Sequence, residues 1–169
     1  YLQGDHTSVS YRNIVLTPVL TSIPNVGEWP QAAGPTGNFI TQGNAPKQFS
    51  GATGDNVKWR VPLPNTGQSA AIISGGRIFV TSHEPITQDP QTGAAILGLC
   101  FDAETGEELW RRTIPGTRET DLSSLFNDNT AYSPVADGKR VIFTNVGGTI
   151  KCFDYNGEEI WSHVWTPFG

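Results

Sequence analysis

Cys100-Phe101-Asp102-Ala103-Glu104-Thr105-Gly106-Glu107-Glu108-Leu109-Trp110 reads as a strand, a tight turn through Thr105-Gly106, and a second strand ending in a tryptophan. The unit returns as Cys152-Phe153-Asp154-Tyr155-Asn156-Gly157-Glu158-Glu159-Ile160-Trp161, one turn residue shorter. A weaker copy, Thr53-Gly54-Asp55-Asn56-Val57-Lys58-Trp59, precedes both. The tryptophans stand at 59, 110 and 161, a constant spacing of 51 residues. A regular period of this length marks a repeat architecture, and four short strands per period mean a propeller blade. The predicted fold is all-β, a partial propeller of two four-stranded blades plus one closing strand.

Working outward, the first blade is expected at 68–74, 77–82, 96–102 and 107–114, and the second at 131–136, 140–145, 149–154 and 158–164. Alternation is visible in Arg77-Ile78-Phe79-Val80-Thr81, and Gly75-Gly76-Arg77-Ile78-Phe79 answers Gly138-Lys139-Arg140-Val141-Ile142. Residues 56–63, with Trp59, are expected to be the outer strand of a blade whose other strands lie beyond residue 169. Ring closure of that kind removes exposed edges. The predicted organisation is 1–20 as the end of an upstream domain, 21–50 as a Pro/Gly/Asn-rich linker and lead-in, and 51–169 as propeller repeats. A ring of seven or eight such blades needs roughly 350–420 residues. With that length, no Met, and Tyr1 at its start, the chain is expected to be a slice of a longer product.

Two insertions distinguish the blades: 83–93, opening on His83-Glu84, and the link 115–130. Strand direction alternates within a blade, so strands two and four end on the same side, and both loops are expected on one face. Binding residues concentrate on loops carried by a rigid scaffold, which makes His83, Glu84, Asp89, Arg118, Asp121 and Phe126 the candidate interaction residues.

The formal charge of −5 and the lack of any Lys/Arg cluster argue against nucleic acid and against an anionic membrane surface. The longest apolar run, 14–20, is broken by Thr17 and Pro18, so no membrane insertion is expected. Cys100 and Cys152 hold equivalent positions in successive repeats, expected to lie too far apart for a disulfide, and read as two buried thiols. No CxxC spacing suggests zinc or redox chemistry.

The repeats, with Trp29-Pro30-Gln31 and Gly34-Pro35-Thr36-Gly37-Asn38 ahead of them, resemble the pyrroloquinoline-quinone-like propeller family, including its outer-membrane assembly lipoproteins. The resemblance covers roughly 29–169. It implies that Trp59, Asp102, Thr105, Gly106, Trp110, Asp154, Asn156, Gly157 and Trp161 lock blade to blade, and that Trp29 anchors one end of the propeller. The quinoprotein dehydrogenases, similar in the repeat, use an adjacent Cys-Cys pair and a calcium held by carboxylates and amides. Neither pattern occurs here, so neither the quinone nor calcium nor any other cofactor or metal is expected. Leu2-Gln3, His6, Val9 and Tyr11-Arg12-Asn13-Ile14 resemble the closing strands of the jelly-roll domain of 3-keto-disaccharide hydrolases. That resemblance implies Gln3, His6 and Arg12 as weak catalytic candidates, although a His beside an Asp in a turn is more often a surface residue.

Three functions follow in order of support. The first is a non-catalytic scaffold or binding module of a larger periplasmic or extracellular bacterial protein, contacting a protein or glycan as well as its own remaining blades. The second is part of a carbohydrate-active enzyme in which the upstream domain acts on a disaccharide. The third is a quinoprotein dehydrogenase.

Overall fold

A computed structural model describes residues 27–40, 46–84, 95–117 and 129–166. Among the described residues the regular elements are all strands, in two four-stranded antiparallel sheets with neighbours in chain order. The first sheet holds β1 (Ile72–Ser74), β2 (Arg77–His83), β3 (Ile96–Asp102) and β4 (Glu108–Ile114); the second holds β5 (Val135–Ala136), β6 (Arg140–Asn145), β7 (Thr149–Asp154) and β8 (Glu159–Val164). Each sheet is one propeller blade.

The repeat is kept in the register. Ile72, Phe79, Cys100 and Trp110 form one cross-strand row, and Val135, Ile142, Cys152 and Trp161 form the equivalent row. A β-bulge follows Cys100 in the first blade and Cys152 in the second. An extra residue in the outer strand leaves Leu109 and Ile160 outside the pairing and exposed, while the tryptophan stays opposite the cysteine.

The core lies between the blades. Ile72, Phe79, Ile96, Cys100, Trp110 and Ile114 from the first meet Val141, Phe143 and Phe153 from the second. The Phe79 ring sits 5.9 Å from Trp110 and 6.4 Å, edge-on, from Phe143; Trp110 is 5.9 Å from Phe153. Gly98 permits this approach, since a methyl group there would fall 3.1 Å from the Phe143 ring. The other face of the first blade, Val80, Leu97, Leu99 and Phe101, packs against Val61. Cys100 and Cys152 are buried free thiols.

The expected outer strand at 56–63 is not completed among the described residues. A strand requires a ladder partner, and among the described residues none pairs with this stretch, which crosses the face of the first blade through Val61. The innermost strands are also shorter than predicted. The residues before β1 are tied by side chains of the following blade instead: the amide of Gln68 donates to Thr130 Oγ1 (2.9 Å) and that of Ala70 to Ser133 Oγ (2.9 Å).

Candidate functional site

The two ends of the blade pair are chemically different. At one end lie the turns of the repeat motif. Asp102 Oδ1 accepts from the amides of Thr105 (2.8 Å) and Glu104 (2.9 Å) and from the Thr105 hydroxyl (3.1 Å), while Gly106 turns the chain at φ 76°. These donors, the Thr105 amide first, hold the Asp102 carboxyl below the usual carboxylate range. In the second blade Asp154 Oδ1 accepts from the amides of Asn156 (2.8 Å) and Glu158 (2.9 Å), with Gly157 at φ 84°. Asn156 contributes its backbone amide to this turn.

Each turn receives a tryptophan from the preceding repeat. Trp59 donates through Nε1 to the Ala103 carbonyl (3.1 Å), and its ring lies so close to Gly106 that a methyl group there would fall 2.6 Å away. Trp110 donates to the Tyr155 carbonyl (3.1 Å) and covers Gly157, where a methyl group would fall 3.0 Å from the ring. Arg112 stacks over Trp110 and donates to the Gly157 carbonyl (2.8 Å). Trp161 has no such turn above it among the described residues. It is 41% exposed where Trp110 is 8%, and lines a shallow groove with Val135, Ala136, Ile142, Cys152 and the Asp137–Arg140 ion pair.

The opposite end is where the long loops leave. His83 pairs with Ile96 and Ile96 with Ile114, so the last residues of β2 and β4 stand in one row at one side of the blade. At and beneath this row is a buried polar layer: Thr81, Ser82, His83, Asn129, Thr130, Asn145 and Thr149. Buried polar groups must be hydrogen-bonded to be tolerated, and most of these bonds go to the backbone of loop stems. Asn145 Nδ2 donates to the Ile114 carbonyl (2.9 Å) while its Oδ1 accepts from the Gly147 amide (2.7 Å). Thr81 Oγ1 donates to the Thr130 carbonyl (3.2 Å), and Ser82 Oγ to that of Asn65 (2.9 Å). Glu84 accepts from Thr113 Oγ1 (2.9 Å), which fixes the first loop stem to β4. The amide of Thr117 donates to the Gly147 carbonyl (2.7 Å), fixing the second stem to the neighbouring blade.

The structure thus brings His83 and Glu84 beside the stem of the second loop. Asp89, Arg118, Asp121 and Phe126 lie outside the described residues, as do Gln3, His6 and Arg12 with the whole of 1–20. Sequence reasoning missed the polar layer. Its only trace is the run Thr81-Ser82-His83, polar where alternation along β2 would call for apolar residues.

Among the described residues no three His, Cys, Asp or Glu side chains gather as metal ligands. These residues do not fit a quinone of the dehydrogenase kind either. The two cysteines are separate buried thiols, and Glu28, Trp29 and Pro30 occupy the inner edges of the blades. Burial pushes the Cys100 thiol up to about 11, leaving it protonated and inert.

No curated protein matches the chain. Solved structures that match include BamB from Moraxella catarrhalis, with 22% identity over 63% of this chain and a TM-score of 0.40. A europium-containing methanol dehydrogenase matches with 20% identity over 62% of this chain and a TM-score of 0.38. The chain spans 26% and 18% of the lengths of these two proteins. No helix among the described residues is long and apolar enough to cross a membrane. The family described as outer membrane protein assembly factor BamB matches residues 47–168, and the chain belongs to that family of quinone-type propeller repeats.

Proposed function

We propose that the chain is a non-catalytic binding module of a larger periplasmic or extracellular bacterial protein, holding a protein partner through loops 83–93 and 115–130. One observation carries this reading: His83 and Ile114, where the loops depart, share a row at one side of the blade over a buried hydrogen-bonded layer. Such a base fixes where loops start while leaving their sequences free to suit a ligand. The family's description as an assembly factor for outer membrane proteins supports a protein over a glycan. The test presents an unfolded outer-membrane β-barrel protein and a glycan array to the immobilised chain and to a variant lacking 85–93, which keeps His83 in β2 and Glu84 on Thr113. Loss of β-barrel-protein binding on deletion, with an unchanged melting temperature, is the expected result. Binding that survives the deletion, or that occurs only on glycans, overturns the reading.

The same proposal assigns the motif turns a structural role. Trp59 and Trp110, with Asp102, Thr105, Gly106, Asp154, Asn156 and Gly157, lock one repeat to the next. The row Val135, Ile142, Cys152 and Trp161 repeats the row that the second blade buries, so its groove is the seat of a further blade.

A further inference from the structure

The lead-in residues 28–30 make a set of contacts that neither the repeat nor the loops account for. Trp29 and Ile73 exchange both backbone hydrogen bonds, Trp29 N to Ile73 O at 2.7 Å and Ile73 N to Trp29 O at 2.9 Å. The next carbonyl, that of Pro30, accepts from the amide of Ala136 on β5, at 2.8 Å. On the other side, Glu28 Oε1 accepts from the Gly75 amide in the β1–β2 turn, at 2.9 Å. Successive carbonyls of an extended chain point to opposite edges, so one three-residue segment pairs leftward with the first blade and rightward with the second. Proline suits the last position because it has no N–H to leave unpaired. The segment's own fold holds it ready: the Trp29 ring lies on Gly34 and its Nε1 donates to the Ala32 carbonyl (3.3 Å).

We propose that the inner edges of β1 and β5 form a strand-acceptor groove for an extended acidic–Trp–Pro peptide, filled in cis by Glu28-Trp29-Pro30. An unpaired inner edge is a template for another strand, and strand addition uses main-chain bonds for affinity and side chains for specificity. Here Ile73 supplies the main-chain pair, the Gly75 amide reads the carboxylate, and Ala136 reads the carbonyl of the proline. Inner strands line the axial channel of a propeller, so the cis segment closes this stretch of the channel wall. A partner carrying a similar peptide gains the groove by displacing it.

Hydrogen exchange of the full chain tests this. The amides of Ile73, Gly75 and Ala136 are protected in the wild type. In the variant Glu28→Gly, Trp29→Gly, Pro30→Gly they lose protection at least about tenfold, while Leu99 in the centre of β3 does not. Adding a synthetic peptide of residues 27–39 restores protection at all three. If the triple variant does not fold, Gly34→Ala displaces Trp29 more gently, since the added methyl would fall 2.9 Å from its ring; the same three amides are read. Unchanged protection in a folded variant overturns the pairing. Protection that is lost but not restored by the peptide overturns the acceptor groove.

Discussion

Replacing Trp110 separates the blade joint from ordinary core packing. The side chain is 8% exposed, lies against Phe79, Phe143 and Phe153, and satisfies the Tyr155 carbonyl. Large-to-small replacement at such a site costs about 3–5 kcal/mol. For a chain of this size that lowers the melting temperature by about 6–20 °C. Core packing alone predicts the same loss, so the informative measurement is a double-mutant cycle with Gly157→Ala. In the wild-type background this substitution carries two penalties: about 1–2 kcal/mol for an L-residue at φ 84°, and about 1–3 kcal/mol for a methyl 3.0 Å from the indole. With Trp110 already alanine, the second penalty is lost and the first remains, together with a contact 3.2 Å from the flexible Arg112 guanidinium, which can move aside. Urea melts of the four proteins should therefore give a coupling energy of about 1–3 kcal/mol. Additivity within about 0.5 kcal/mol would refute the tryptophan–glycine joint, whatever the two single variants cost.

Three further outcomes follow from the same geometry. Because Asp102 has a depressed native pKa, its contribution is fully present above the unfolded value of about 3.9 and is lost as pH falls toward the native value. Asp102→Asn should flatten the acid limb of stability, read from urea melts at stepped pH; parallel limbs in both proteins would contradict the turn's role. Cys100, raised to about 11 by burial, and Cys152, also raised by burial, should react with a thiol reagent at pH 8 only after urea unfolding, and rapid native labelling would be inconsistent with the fold. Trp59→Ala uncovers Gly106 while Trp161 stays exposed, so sedimentation should detect head-to-tail self-association in the variant and not in the wild type.

The blades were legible because their information is local and repeated. Cys100 to Trp110 and Cys152 to Trp161 each contain a strand end, a turn acid, a glycine and a tryptophan at fixed offsets, and copying fixes the register. What the sequence hid depends on contacts distant along the chain. Residues 56–63 carry the composition of a strand, but a strand is a property of two segments, and the partner is not among the described residues. Trp29-Pro30 sits in a stretch with no periodicity, yet pairs with Ile73 and Ala136, more than forty and one hundred residues away. Gly98 gave no turn signal because its reason is the Phe143 ring of the next blade. The loop-bearing end was readable as a direction, from strand alternation, whereas its polar floor was not. Thr81, Asn145 and Thr130 look like surface residues until their partners are known to be backbone groups of another segment.

The joint also gives the stack a direction. Trp59 and Trp110 each reach forward to the turn of the following repeat. A blade is therefore a donor on one face and an acceptor on the other. Trp59 already fills the acceptor of the first blade, and Trp110 that of the second, which leaves Trp161 as a donor without an acceptor among the described residues. A second copy of the chain cannot serve, because its Gly106 is covered by its own Trp59. Under the proposed seating of a further blade on the Trp161 groove, an open donor facing a closed acceptor favours the addition of a repeat in cis over polymerisation in trans. A propeller built from such units grows in one direction and avoids the open-ended filaments that heterologous interfaces otherwise produce.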